Sequence, residues 1–106
     1  MRQPDDQVLL KDMADHARRA IEACKGRSRE DLDTDLVLAA ALERFIKIIG
    51  EAASRVSAPT RDAHTEVPWT EIVGMRNRLV HGYASVDHDV LWAVVTRDLP
   101  VLLEAI

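Results

Sequence analysis

Cysteine, lysine and aromatic residues are all scarce in this chain. Cys24 stands alone, which excludes an internal disulfide framework and any cysteine-built metal cluster and makes a cytoplasmic address the default expectation. Aromatic residues amount to 4%, so a core has to be assembled from Leu, Ile, Val and Ala. No run of about 18 apolar residues occurs, which argues against a membrane span, and the opening Met1 to Asp6 lacks the apolar centre of a secretory signal. Positive charge is also short. The formal net charge is −4, whereas holding nucleic acid by long-range attraction needs an excess of clustered cations. That balance speaks against a DNA-binding protein and requires any phosphate chemistry to rest on a local basic cluster. Only three of the 14 basic residues are lysines (Lys11, Lys25, Lys47); the rest are arginines, whose planar fork matches phosphate oxygens.

What is present is ordinary globular material, 47% hydrophobic and 30% charged over 106 residues. That length suits one domain, residues 1–106, with no room for a second core. The apolar spacing predicts an all-α protein, an up-and-down bundle of about four helices. The first covers roughly Asp6 to Lys25, with Leu10, Met13, Ala17, Ile21 and Cys24 at steps of three and four and Gly26 as its stop. A short turn or helix, Ser28 to Leu32, leads into a long second helix, Asp35 to Val56. There Leu38, Leu42, Phe45, Ile49, Ala52 and Val56 form a stripe that Ala41, Ile46, Ile48 and Ala53 widen. Such a helix should be the spine of the bundle, and a stripe that wide in so small a domain predicts burial by dimerisation. Glu43–Lys47 and Glu51–Arg55 are spaced for i,i+4 ion pairs.

Ala58 to Val67 reads as a loop. Pro68 then opens a third helix, Trp69 to about His81, ended by Gly82. Asp87 is the expected N-cap of a fourth helix carrying Trp92, Val95, Leu99, Leu102 and Ile106, and Pro100 should bend it. Trp69 and Trp92 read as core anchors and His16 as a surface residue. His64 and His88 have no ligand partners at the spacing of a zinc site, and no cofactor is expected.

The chemistry concentrates in Gly74-Met75-Arg76-Asn77-Arg78-Leu79-Val80-His81-Gly82-Tyr83. Arg76, His81 and Asn77 make a workable set for cutting RNA without a metal. The imidazole moves protons near neutral pH, the guanidinium stabilises charge on the phosphoryl oxygens, and Asn77 can orient the phosphate or His81. Arg78 reads as a residue that steers phosphate. On a regular helix Arg76 and Tyr83 project within about 20° of each other, but Arg76 and His81 lie about 140° apart. The turn must therefore loosen near Gly82, or a second copy must complete the site.

Arg76-x4-His81-x-Tyr83 resembles the signature of HepT-like proteins, a branch of the HEPN (higher eukaryotes and prokaryotes nucleotide-binding) superfamily. The resemblance extends to Ile48-Ile49-Gly50-Glu51-Ala52-Ala53, to Pro68-Trp69-x-x-Ile72-x-Gly74-Met75-Arg76-Asn77, and to Val86-Asp87, Trp92 and Asp98-Leu99-Pro100. It implies a homodimer with two Arg–His motifs lining a shared cleft. It also implies a metal-independent endoribonuclease, the toxin of a bacterial toxin–antitoxin pair. Arg76 and His81 would be catalytic with Asn77 assisting. Tyr83 would accept AMP from ATP through a minimal nucleotidyltransferase antitoxin. The chain departs from the family at Gly82, where an acidic residue is frequent, and at Ala84, where an aromatic one is. Glu51 fits a pair with Arg76 or, equally, with Arg55. A non-catalytic helical subunit that grips nucleotide or a nucleotidyltransferase partner is the alternative the same motif would serve.

Overall fold

The computed structural model describes residues 5–79 and 85–106, which are helical with no strand among them. Helix α1 (Asp6–Ala23) starts where the Asp5 carboxylate accepts the Gln7 N–H at 2.8 Å, the usual satisfaction of an orphan N-terminal donor. It ends two residues earlier than the sequence suggests, with Cys24 as its cap and Gly26 at φ 72°, a conformation that a Cβ disfavours. The brief α2 (Asp31–Thr34) buries Leu32 and leads into α3 (Leu36–Arg55), capped by the Asp35 carboxylate on the Leu38 N–H at 3.0 Å.

Helix α3 is the spine. Leu38, Leu42, Ile46, Ile49, Ala52 and Ala53 are buried along it, and α1, which buries Leu9, Leu10, Met13, Ala17 and Ala20, packs along it. Phe45 is only half-buried; His16 lies 6.1 Å from it, ring centre to ring centre. Neither Glu43–Lys47 nor Glu51–Arg55 forms the ion pair that spacing alone predicts, and Glu51 does not pair with Arg76 either. Holding two long exposed side chains in one geometry costs rotamer freedom that a solvated pair hardly offsets.

The segment after α3 corrects the expectation of a loop. Ala58–Ala63 is helix α4, with Pro59 in its first turn, where a missing N–H does no harm. Its anchors come from far along the chain. The Asp6 carboxylate accepts the Ser57 N–H at 3.1 Å and the Ser57 and Thr60 hydroxyls. Arg61 donates to the carbonyls of Val56 and Ala53 at 3.1 and 2.9 Å, closing the end of α3, and lies over the Trp69 ring at 5.5 Å. The Trp69 indole N–H donates to the His64 carbonyl at 3.0 Å. Trp69 is thus packed against the core while half-buried, not a fully buried anchor.

The expected third helix is broken at Gly74 into α5 (Trp69–Val73) and α6 (Met75–Leu79). A Cβ on Gly74 would stand 3.3 Å from the Thr70 carbonyl oxygen, a tight contact at the joint. Both pieces pack on α3. Asp87 caps α7 (His88–Ala93) as expected, accepting the N–H groups of Asp89 and Val90 at 2.9 and 3.2 Å. The chain continues through a π-helical turn, Val94–Asp98, into α8 (Leu99–Ala105). Pro100 explains that turn. Its ring would clash with the carbonyl of Thr96, four residues back, and widening the spiral relieves the clash; the Leu99 N–H reaches back five residues to Val94. Leu91, Val94, Val95, Leu99 and Leu102 bury this last arm, while Trp92 is half-buried. Arg29 ties α2 to α7 by bonding Asp33 and Asp89, and His88 Nδ1 lies 2.8 Å from Asp33. No described helix is long and apolar enough to cross a membrane.

Candidate functional site

Helix α6 is a single short length whose two ends point inward. Met75 and Leu79 are i,i+4 and buried, so they share one face and pin it to the core. Arg76, Asn77 and Arg78 between them are consequently turned out and exposed. Packing, not charge, aims them.

Arg76 lines a cleft of about 490 Å³ between α6 and α3. The facing wall is Glu43, Arg44 and Lys47 of α3, and the floor includes Leu79, Ser85 and Val86. That is within the ordinary size of a small-ligand pocket, about 300–1,000 Å³. Arg78 points elsewhere. It donates to Asp98, on the π-helical turn, at 2.5 Å, and so ties α6 to the last arm. Asn77 is exposed on the same short helix.

His81 and Tyr83 lie outside the described residues. The chain on either side of them is placed, however. The Asp87 N–H donates to the Leu79 carbonyl at 2.7 Å, and Leu79, Ser85 and Val86 all border the Arg76 cleft. Among the described residues no group of three His, Cys, Asp or Glu side chains could hold a metal ion. His16 Nδ1 sits 2.7 Å from the Asp12 carbonyl and His64 Nδ1 2.9 Å from that of Thr60, so both are occupied locally. Burial pushes the Cys24 thiol up from its ordinary value, which keeps it protonated and inert.

Sequence reading missed Arg44 and Lys47. One signal was available: Arg44 has no acidic residue three or four positions away in either direction, so an arginine with no helical partner sits on the flank of the buried stripe. What no spacing could reveal is that α6 crosses that flank.

An all-helical protein with an arginine-bearing turn set over a basic cleft is equipped to grip phosphate. The comparisons with known proteins narrow that class. The family model described as Ribonuclease HepT-like matches residues 13–106, and the chain belongs to this family. It is similar to a candidate RNase of Caldanaerobacter subterraneus subsp. tengcongensis, 42% identical over 82 residues, covering 77% of this chain and 73% of the other. A candidate RNase of Methanocaldococcus jannaschii is 33% identical over 100 residues, 94% of this chain and 92% of the other. A Thermococcus cleftensis protein named "Probable ribonuclease HepT" is 36% identical over 96 residues, 87% of each chain. No solved structure matches.

Proposed function

We propose that this chain is a metal-independent endoribonuclease, the toxin half of a toxin–antitoxin pair, acting at the cleft between α3 and α6. The observation that carries the proposal is the exposed Arg76–Asn77 turn set over a basic cleft in a chain of the Ribonuclease HepT-like family. In the reaction the 2′-oxygen of a ribose attacks its neighbouring phosphorus and the bond to the 5′-oxygen breaks. His81 handles the protons, one leaving the 2′-hydroxyl and one reaching the departing 5′-oxygen. Arg76 faces the phosphoryl oxygens as their charge grows, and Asn77 orients the phosphate. Arg78 has a lesser part, because it reaches phosphate only by giving up Asp98.

The working unit is a homodimer in which each copy completes the other's cleft. The awkward i,i+5 separation of Arg76 and His81 supports this, as do Leu36 and Val37, apolar residues left 73% and 81% exposed at the start of α3. A nucleotidyltransferase antitoxin silences the enzyme by transferring AMP to Tyr83. The phenolic oxygen attacks the α-phosphorus of ATP and pyrophosphate departs. The attached phosphate then occupies the arginine that substrate needs.

Purified protein is expected to cut RNA in EDTA, with Arg76→Ala and His81→Ala inactive and folded by circular dichroism. Activity that vanishes on chelation and returns with a divalent metal refutes the mechanism. Tyr83→Phe should remain active and gain no adenylate mass when incubated with ATP and the antitoxin; equal mass gain in this variant rules Tyr83 out as the acceptor.

A further inference from the structure

Most cations of this acidic chain are already committed. Among the described residues, Lys11, Arg18, Lys25, Arg27, Arg29 and Arg78 are ion-paired to carboxylates. Arg61 is spent on backbone carbonyls, and Arg19 lies against His16. Arg44, Lys47, Arg55, Arg76 and Arg97 remain without an ion pair. Three of these five line one cleft, opposed there by a single carboxylate, that of Glu43. The other two stand where carboxylates match or outnumber cations, Arg55 beside Asp12 and Glu51, and Arg97 beside Arg78, Asp89 and Asp98. The surplus of positive charge is therefore local, although the molecule as a whole carries −4.

From this we infer that Arg44 and Lys47 form a phosphate-binding lip on α3, which holds the backbone of single-stranded RNA alongside the phosphate that Arg76 engages. The inference rests on the ribonuclease reading and adds to it the two residues that supply binding. Three residues on an ideal helix bring side chains to within about 60° of each other, so Arg44 and Lys47 project from one edge of α3. The buried Leu42, Ile46 and Ile49 hold the core-facing side of the helix, which leaves that edge to the cleft. Neither residue has an ion-pair partner among the described residues, so phosphate contact requires none of those pairs to break. Solvent-facing cations that gain phosphate release counterions from the RNA, at about 0.7 of an ion per contact on a single strand.

The test measures binding apart from cleavage. A short fluorescein-labelled single-stranded RNA of mixed sequence is titrated with the full-length His81→Ala protein, which leaves the probe intact, and polarisation is read across a salt series. Adding Arg44→Gln and Lys47→Gln should weaken binding about 10- to 30-fold near 0.1 M salt and flatten the slope of log K against log salt by about 1.4, two contacts' worth. Arg44→Lys with Lys47→Arg should restore both, which separates charge from fold. Arg55→Gln with Arg97→Gln should change neither. Unchanged affinity and slope in the Arg44→Gln, Lys47→Gln protein overturns the lip. An equal loss in the Arg55→Gln, Arg97→Gln control also overturns it, since total charge would then explain the binding. Failure of the wild type to cut RNA sinks the nuclease reading instead, and the binding arms still decide the lip.

Discussion

The pair Arg78–Asp98 decides whether Arg78 serves substrate or scaffold. The two groups meet at 2.5 Å, with their side chains 44% and 40% exposed. Exposure of that order leaves the pair well screened, worth about 0.2–1 kcal/mol. At about 4–8 °C per kcal/mol for a domain of this size, a double-mutant cycle through Arg78→Gln and Asp98→Asn should give a coupling of about 1–8 °C in Tm. The same energy sets a limit on function. If Arg78 had to leave Asp98 to reach phosphate, Asp98→Asn would free it and tighten RNA binding by at most about fivefold, the factor that corresponds to 1 kcal/mol. The expected result is smaller. Arg78→Gln should lower Tm by a few degrees while changing RNA affinity less than twofold, because its charge is already matched by Asp98. The assays are differential scanning calorimetry and polarisation binding in the His81→Ala background. A tenfold loss of RNA affinity on Arg78→Gln, with Tm unchanged, would refute this reasoning and place Arg78 on the substrate.

Two further outcomes test the frame around the site. The Ser57 hydroxyl, then the Thr60 hydroxyl and the Ser57 N–H, hold the Asp6 carboxyl below its ordinary value. Its contribution is therefore present above the unfolded value of about 3.9 and is lost as pH falls through the lower folded value. Asp6→Asn should accordingly melt below wild type at pH 7, with the gap closing below about pH 4; a gap constant with pH would mean the ionised carboxylate is not what holds α4. Met75→Ala empties a buried position next to Arg76. It should cost about 2–5 kcal/mol and reduce RNA cleavage more than binding, because Arg76 loses the anchor that aims it; full cleavage in a protein so destabilised would contradict the role given to Met75.

The long elements were legible from sequence because their signals are local. The stripes of α1 and α3 repeat at helical spacing, and Asp87 and Gly26 act on residues next to them, so periodicity and caps suffice. The exposed polar run Arg76 to Arg78 was legible for a similar reason, since it lies between Met75 and Leu79, which share a buried face at i,i+4. Helix α4 was not. Its stability comes from Asp6, which lies 51 and 54 positions from Ser57 and Thr60, and from Arg61 reaching back to the end of α3.

By itself, then, the order of residues determined the helical class, the faces to be buried and the family to which the chain belongs. Tertiary packing alone decided three further matters. Pro100 is accommodated not by a break but by a π-helical turn, Val94–Asp98, that joins α7 to α8 between buried residues on both sides. Arg78, one residue from Asn77, is drawn to Asp98, whereas Arg76 is left open to a cleft. Arg44 and Lys47 become part of that cleft only because the buried Met75 and Leu79 dock α6 onto α3. Charges far apart in sequence acquire a common task when the core brings their helices together, and no local pattern encodes that meeting.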